Sequence, residues 1–554
     1  MARGRLGLAL KIRAIAQGFW KAGETMTTAQ TESTHTVLGA ATNQALGIAR
    51  YAIEFLESGE PSESVIAHTN RFHTDAALCG ISAIALGTNA PSVLRREASR
   101  YPTQKGATVF GSKQPVHPEK AIVANSAAVR EWDSNGTNFG FNPALGHTAG
   151  EFGHNDFYPV AIAAAQVAGL DGRKAMLGMI AHDEIRGRLA EVFSLKTYKI
   201  DHVLHGAIAS AAVYGAMVGA TEEQIESAIG MVVSHAVPFR AIRAGKQLSD
   251  SKGSSAAIST EFAILSVIRS MDGFLGPRDI FRNPEAVFRL FEGPGQMFTH
   301  VSRQPGAVKP ADASPFDLHL AMRGDDFAVM GMHFKLGVYE HQSAGAIQAV
   351  VSLLDKAPQL LDDPAGGNIT KIRITAYEPA FGIIGDPAKK DPRTRQSADH
   401  SMAYIIATLL RKALGAAQMT KEPTWKELML MPHDYSQEAI FHPQTRRLMD
   451  AIEFVHGGEE YDRRYPDGIP TSVIITDASG SEFDSGMVMY PSGHARNTTC
   501  DLDGLLRHKM TLMAGLVSND PGSLIARFGA IEAKSAEEIR AIHDFTLDVK
   551  GVFE

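Results

Sequence analysis

Along the chain the apolar positions fall into two textures. From Thr36 to about Leu290 they recur at three- and four-residue spacings, and many are alanine, as in Ala207, Ala209, Ala211, Ala212 and Ala216 after His205. That period belongs to helices with a buried face. Helix-forming runs cover Ala161–Ala168, Arg173–His182, Glu222–His235 and Ser254–Met271, and Thr221 ahead of Glu222 to Gln224 reads as a capped start. Near Phe291 to Gly306 the texture changes to Gly, Pro and aromatic residues. Beyond it, Ile372-Arg373-Ile374 and Ser472-Val473-Ile474-Ile475 read as strands, with helical stretches at Gln342–Leu354, Ser401–Leu414 and Pro443–Ala451 between and around them. The tail is helical again over Asp501–Leu516 and Ala533–Asp548.

These patterns predict a mainly α chain with an α+β part. Residues 1–35 form a disordered extension, residues 36–300 a large all-helical domain, and residues 301–500 a smaller mixed α/β domain. The helices of 501–554 pack back on the first domain, which makes it discontinuous. Small side chains at the density seen after His205 let its helices approach closely.

Composition narrows the function classes. With 554 residues, 44% hydrophobic and 21% charged, the chain can bury a sizeable core. A net charge of −7 offers no basic field for a nucleic-acid backbone, so nucleic acid is not an expected partner. Cys79 and Cys500 cannot build a disulfide framework and are too few for an iron–sulfur cluster. They suit a reducing compartment, the cytoplasm or, in a eukaryotic source, the mitochondrial matrix. Arg3, Arg5, Lys11 and Arg13 surround short apolar runs, none of them long enough to span a bilayer, so no membrane is expected as partner. The bland reading of that stretch is an extension upstream of Met26; a transit segment is its alternative. No phosphate-binding loop or GxGxxG after a strand is present.

Chemistry gathers in a few places. Asp133 and Thr137 stand four apart, on one helix face or in a turn, and Asp-Ser-Asn-Gly favours the turn. His154 precedes the apolar run at Val160 and is read as lying near a helix N-terminus, where a neutral imidazole suits acid–base work. Asp201 next to His202 fixes a tautomer, leaving His202 to shuttle a proton. His202 and His205 at three apart also permit metal ligation, a weak reading without a third ligand. Arg240, Arg243, Lys246 and Lys252 read as a carboxylate-binding wall or as a solvated face. Lys335, Tyr339 and His341 precede an Ala-rich helix and border a cleft between the two domains.

Taken together, these residues resemble the MmgE/PrpD family over most of the chain after about residue 36. Asn43–Tyr51 and Asp75–Gly87 look like its opening helices. Glu131-Trp132-Asp133, Glu151-Phe152-Gly153-His154, Ala181–Gly187, Ile200–Val203 and the Lys252 segment follow in its order. The resemblance implies a helical domain plus a smaller α/β domain, a homodimer and a site without cofactor or metal. It also implies that Asp133, Thr137, His154, His202 and Lys252 line that site. One departure touches the site: Asn155-Asp156 replaces the Pro-Ser usual after the first histidine.

The activity implied is elimination of water from 2-methylcitrate in propionate catabolism, with His154 and His202 dividing the base and acid roles. Lys252 with Arg240 or Arg243 would clamp the carboxylates of the tricarboxylate substrate. Alternatives are decarboxylation of cis-aconitate, epimerisation alpha to a carboxylate, and a non-catalytic carboxylate-binding protein.

Overall fold

Small residues set the spacing of the helical layer. The helix Val203–Val218 is buried at nearly every position, and around it pack Tyr158–Ala168, Gly172–Val192, Glu222–His235 and Asp250–Met271. A Cβ at Gly206 would stand 2.0 Å from the Phe157 ring, so glycine there admits the ring into the layer. The computed structural model describes residues 34–243, 247–290, 312–420 and 424–553. Thr221 caps Glu222–His235 through a full capping box with Gln224.

The expected α/β part is built on one four-stranded sheet. Ile369–Ala376 lies between Ile452–His456, parallel to it, and Thr471–Asp477, antiparallel, with Glu482–Asp484 at the edge. Ile372, Ile374 and Ala376 turn to one buried face, the two-residue period of a half-covered strand. The helix Ala344–Lys356 packs on Thr471–Asp477, and Met402–Ala416 packs on Pro443–Asp450. The fold is thus mainly α with a smaller mixed α/β part. Apolar residues of both parts join one continuous core, and the chain from His35 on forms one compact unit.

Several segments depart from the helical reading. The first element is a strand, His35–Leu38, paired antiparallel with Leu318–Ala321. Short ribbons also interrupt the helices, at Pro102–Thr108 with Pro115–Val116 and at Thr137–Asn138 with Gly153–His154. In the tail, Leu502–Gly515 is helical as expected, but the Ala533–Asp548 stretch contains only the helix Ala536–Arg540. Beyond it the chain docks on the helical layer, where His543 bonds through Nδ1 to the Thr108 carbonyl at 2.9 Å.

The tail reaches the helical layer at Glu63–Ala85, against which Leu502–Gly515 and Pro521–Phe528 pack. Lys509 donates to Asp75 at 2.9 Å and to the Ser134 carbonyl at 2.6 Å, tying the tail to the loop that carries Asp133. The first 33 residues and Lys246 lie outside the described residues. Among the described residues no single helix is long and apolar enough to cross a membrane; Glu63–Ala85 and Asn89–Ala98 qualify only as a pair bent by 91°.

Candidate active site

The helix Pro118–Arg130 stops just short of the site, and the next residues turn the chain. Trp132 is fully buried and donates its indole N–H to Ser82 Oγ at 3.0 Å, which anchors the turn. Asp133 follows with φ of 50°, a left-handed backbone that aspartate tolerates better than most residues. Its carboxylate meets Arg130 Nη2 at 3.2 Å, Lys252 Nζ at 3.3 Å, His400 Nε2 at 3.2 Å and the ammonium of Lys335. Burial, the largest influence, would raise this carboxyl; Arg130, Lys335, Lys252 and His400 overcome it and hold it well below the usual carboxylate range.

A two-residue ribbon places the first histidine. Thr137 pairs with His154, its hydroxyl donates to the Gly153 carbonyl at 2.8 Å, and its backbone exchanges bonds of 3.0 and 2.7 Å with His333. The second histidine, His202, stands at the N-cap of Val203–Val218. Asp201 is fixed there by the guanidinium of Arg243, whose Nη2 lies 3.1 Å from Oδ1, and that same Oδ1 lies 3.4 Å from His202 Nδ1.

The two rings meet with centroids 5.3 Å apart at 68°. His154 Nδ1 and both nitrogens of His202 are buried without a hydrogen-bond partner. Unpaired buried nitrogens are costly and call for a ligand to complete them. Burial first, then the charge of Arg130, holds the His154 ring well below its ordinary value; burial also wins at His202, against the pull of Asp201. Both imidazoles are neutral in the free site. The cavity they share is lined by the cations Arg130, Arg240, Arg243 and Lys389, by Glu340, His341 and His400, and by the apolar Phe139, Phe152 and Ile383. Such a wall accepts a small polyanion and offers it two proton carriers.

The family model of the MmgE/PrpD N-terminal domain matches residues 46–298, and that of the MmgE/PrpD C-terminal domain matches residues 339–521. The chain belongs to the MmgE/PrpD family. It is 25% identical over 406 residues to a 2-methylcitrate dehydratase of Salmonella typhi, covering 71% of this chain and 74% of that one. It is 26% identical over 342 residues to a mitochondrial 2-methylcitrate dehydratase of Yarrowia lipolytica, covering 59% and 57%. An alkylcitrate dehydratase of a fungal species matches at 24% identity over 330 residues, 57% and 56% of the two chains. Relatives of this MmgE/PrpD chain are thus named as dehydratases, which supports a lyase at the level of the family.

Within this MmgE/PrpD site the expected residues separate into three groups. His154, His202, Thr137, Arg240, Arg243 and His341 line the cavity, with His341 stacked on His333 at 5.3 Å and both its nitrogens unpaired. Asp133, Lys252 and Lys335 lie beneath it. Lys252, expected to clamp substrate, is buried between Asp133 and Asp399, 3.0 Å from the latter, and is not part of the wall. Lys335 is likewise spent on Asp133, donating to its carbonyl at 2.9 Å as well. Tyr339 points elsewhere: its hydroxyl accepts from Leu336 N at 2.8 Å and the residue does not line the cavity. His154 sits on a short strand just ahead of the helix Tyr158–Ala168, near its start as expected, while His202 stands at the N-cap of its own helix. The turn reading of Asp133 to Thr137 describes the loop, and Thr137 acts through its pairing with His154.

Four titratable wall residues escaped the sequence reading: Arg130, Glu340, Lys389 and His400. Arg130 adjoins the Glu131-Trp132-Asp133 motif, and Asp399-His400 repeats the dipeptide Asp201-His202, so both left a signal. Glu340 and Lys389 left none. His400 spans two carboxylates, Nδ1 at 2.7 Å from Asp399 and Nε2 at 3.2 Å from Asp133.

Among the described residues, Asp133, Asp399 and His400 are the one group whose ligand atoms converge as a metal site would require. The Lys252 ammonium already bridges the two carboxylates, and Lys335 and Arg130 add positive charge, so the donor set is neutralised by the protein itself. His205 turns its Nε2 to the Phe193 carbonyl at 3.0 Å and forms no ligand cluster with His202.

Proposed function

We propose that this protein is a 2-methylcitrate dehydratase-like hydro-lyase that eliminates water from a tricarboxylate, 2-methylcitrate in propionate breakdown. The reading is carried by the two neutral, unpaired imidazoles 5.3 Å apart in a cavity walled by Arg130, Arg240, Arg243 and Lys389.

Elimination needs a base for the proton alpha to a carboxylate, an acid for the departing hydroxyl, and positive charge for the anion that develops between them. Burial first, then the charges of Arg130 and Lys335, keep the His154 ring unprotonated and available as the base. His202 is backed by Asp201, which favours its protonated form once the negative charge of the substrate arrives. It then gives its proton to the hydroxyl, which leaves as water. Arg240 and Arg243 hold substrate carboxylates, and their charge stabilises the carbanionic electron pair as it spreads into the adjacent carboxylate.

The test is incubation of the full chain with 2-methylcitrate, citrate and cis-aconitate, each followed by mass spectrometry. Loss of water from 2-methylcitrate is expected. Loss of carbon dioxide from cis-aconitate would move the assignment to decarboxylation, and deuterium exchange without net loss would move it to epimerisation. Tight binding of all three acids with neither loss nor exchange would end the enzyme reading.

A further inference from the structure

Glu340 is the single acidic side chain among the described residues that line the cavity, set beside Arg130, Arg240, Arg243 and Lys389. An ionised carboxylate there would repel every charge of a tricarboxylate at close range. The side chain is not free to turn away. Its Oε2 accepts from Gln342 N at 2.7 Å and caps the short turn His341–Ser343. Oε1 has no hydrogen-bond partner among the described residues, and Glu340 is one of the residues that line the cavity. The same wall carries His154 and His202.

We infer that Glu340 takes part in binding as a carboxylic acid, its Oε1 carrying a proton from solvent and donating a hydrogen bond to one carboxylate of the ligand. Ligand and proton then arrive together. This rests on the tricarboxylate reading of the cavity given above and adds a positioning and specificity group to it: a neutral donor that a polyanion tolerates.

The groups facing Glu340 agree with that state. Burial raises its carboxyl most and Asp133 next, while Lys335, the Gln342 amide and Lys389 pull the other way, and the result stands at about 7. Arg240 feels the same carboxylate from the Arg240–Arg243 turn, and the buried phenols of Tyr377 and Tyr465 face it from the α/β side. Lys389, itself held below its ordinary value chiefly by burial, opposes it as a cation from the same wall. A bound tricarboxylate adds negative charge in the same sense as Asp133 and shifts Glu340 further toward the acid.

The experiment is calorimetric titration of the full chain with tricarballylate, a tricarboxylate with no hydroxyl to eliminate, from about pH 6 to about pH 9 in two buffers of different ionisation enthalpy. In the wild type, affinity should fall above about pH 7 toward about tenfold per pH unit more steeply than in Glu340→Gln, with up to about one more proton taken up per ligand. Slopes contributed by His154, His202 and the ligand are common to both proteins. Glu340→Gln, a neutral donor at every pH, should keep its affinity where the wild type loses it. Equal slopes and equal proton counts would overturn the inference while leaving the cavity reading intact. A uniform loss of affinity with an unchanged proton count, the mark of a structural role, would also overturn it. If Glu340→Gln does not fold, Lys389→Met serves: removing that charge should move the alkaline fall to higher pH, and an unmoved fall overturns the inference. Failure of the wild type to bind tricarballylate at any pH would overturn both readings.

Discussion

Two pairs of buried histidines look alike until their hydrogen bonds are compared. His154 and His202 in the cavity are 7% and 5% exposed; His73 and His543, where the tail docks on the helical layer, are 5% and 3% exposed. Burial lowers all four rings. At the dock, His73 Nδ1 lies 2.9 Å from the Phe528 carbonyl and His543 Nδ1 lies 2.9 Å from the Thr108 carbonyl. In the cavity, His154 Nδ1 and both His202 nitrogens make no hydrogen bond to the protein, Asp201 Oδ1 standing 3.4 Å from His202 Nδ1. Burial is therefore shared by structural and chemical histidines, and the unpaired nitrogen is what separates them.

The sharpest break in that comparison is made beneath the cavity rather than in it. Asp133→Asn leaves Lys335 and Arg130 without the carboxylate they share and Lys252 with Asp399 alone, and stranding buried cations costs about 3–5 kcal/mol. Urea unfolding should show that loss, and turnover should vanish with it. The next effect is kinetic. His154→Gln and His202→Gln should each lower turnover of 2-methylcitrate by at least about 100-fold with little change in unfolding midpoint. His73→Gln and His543→Gln should do the reverse, keeping turnover and losing about 1–2 kcal/mol of stability. Equal turnover loss in both pairs would erase the distinction.

Smaller again is the effect of the carboxylate behind His202. Asp201→Asn should slow turnover about tenfold, since the carboxylate that draws the His202 ring toward its protonated form is lost. The alkaline limb of the rate profile should move to lower pH with it, because the acid form of His202 becomes scarcer at every pH. An unchanged limb would assign the acid role to another group.

Local periodicity made most helices legible, and the cap at Thr221 was readable from three residues. The strand His35–Leu38 was not, because its partner Leu318–Ala321 lies some 280 residues on and no local pattern announces a pairing that distant. The site divided in the same way. Asp133, His154 and His202 stand in motifs with local character. Lys252 was read as a clamp for substrate carboxylates because its two partner carboxylates come from positions 133 and 399, and only tertiary packing brings them to it. Glu340 and Lys389 stand among ordinary loop residues, and their meeting opposite the histidines follows from how the α/β part closes over the helical layer.

The smallest prediction returns to what the two pairs share. His543 titrates at about 4 in the folded chain against about 6.5 unfolded, so between those values the unfolded chain binds more protons and stability falls as pH drops. Replacing His543 with Gln should remove up to about 1.4 kcal/mol per pH unit from that decline. His154→Gln should remove a similar amount, since its ring is also held neutral by burial. Urea titrations at about pH 6.5, about 5.5 and about 4.5 measure both. Matching changes in acid stability, beside turnover lost in only one of the variants, are expected from two rings that share an environment and differ in their bonds. A decline that His154→Gln leaves untouched would mean the cavity ring is charged in the free protein, and the base role would pass from His154.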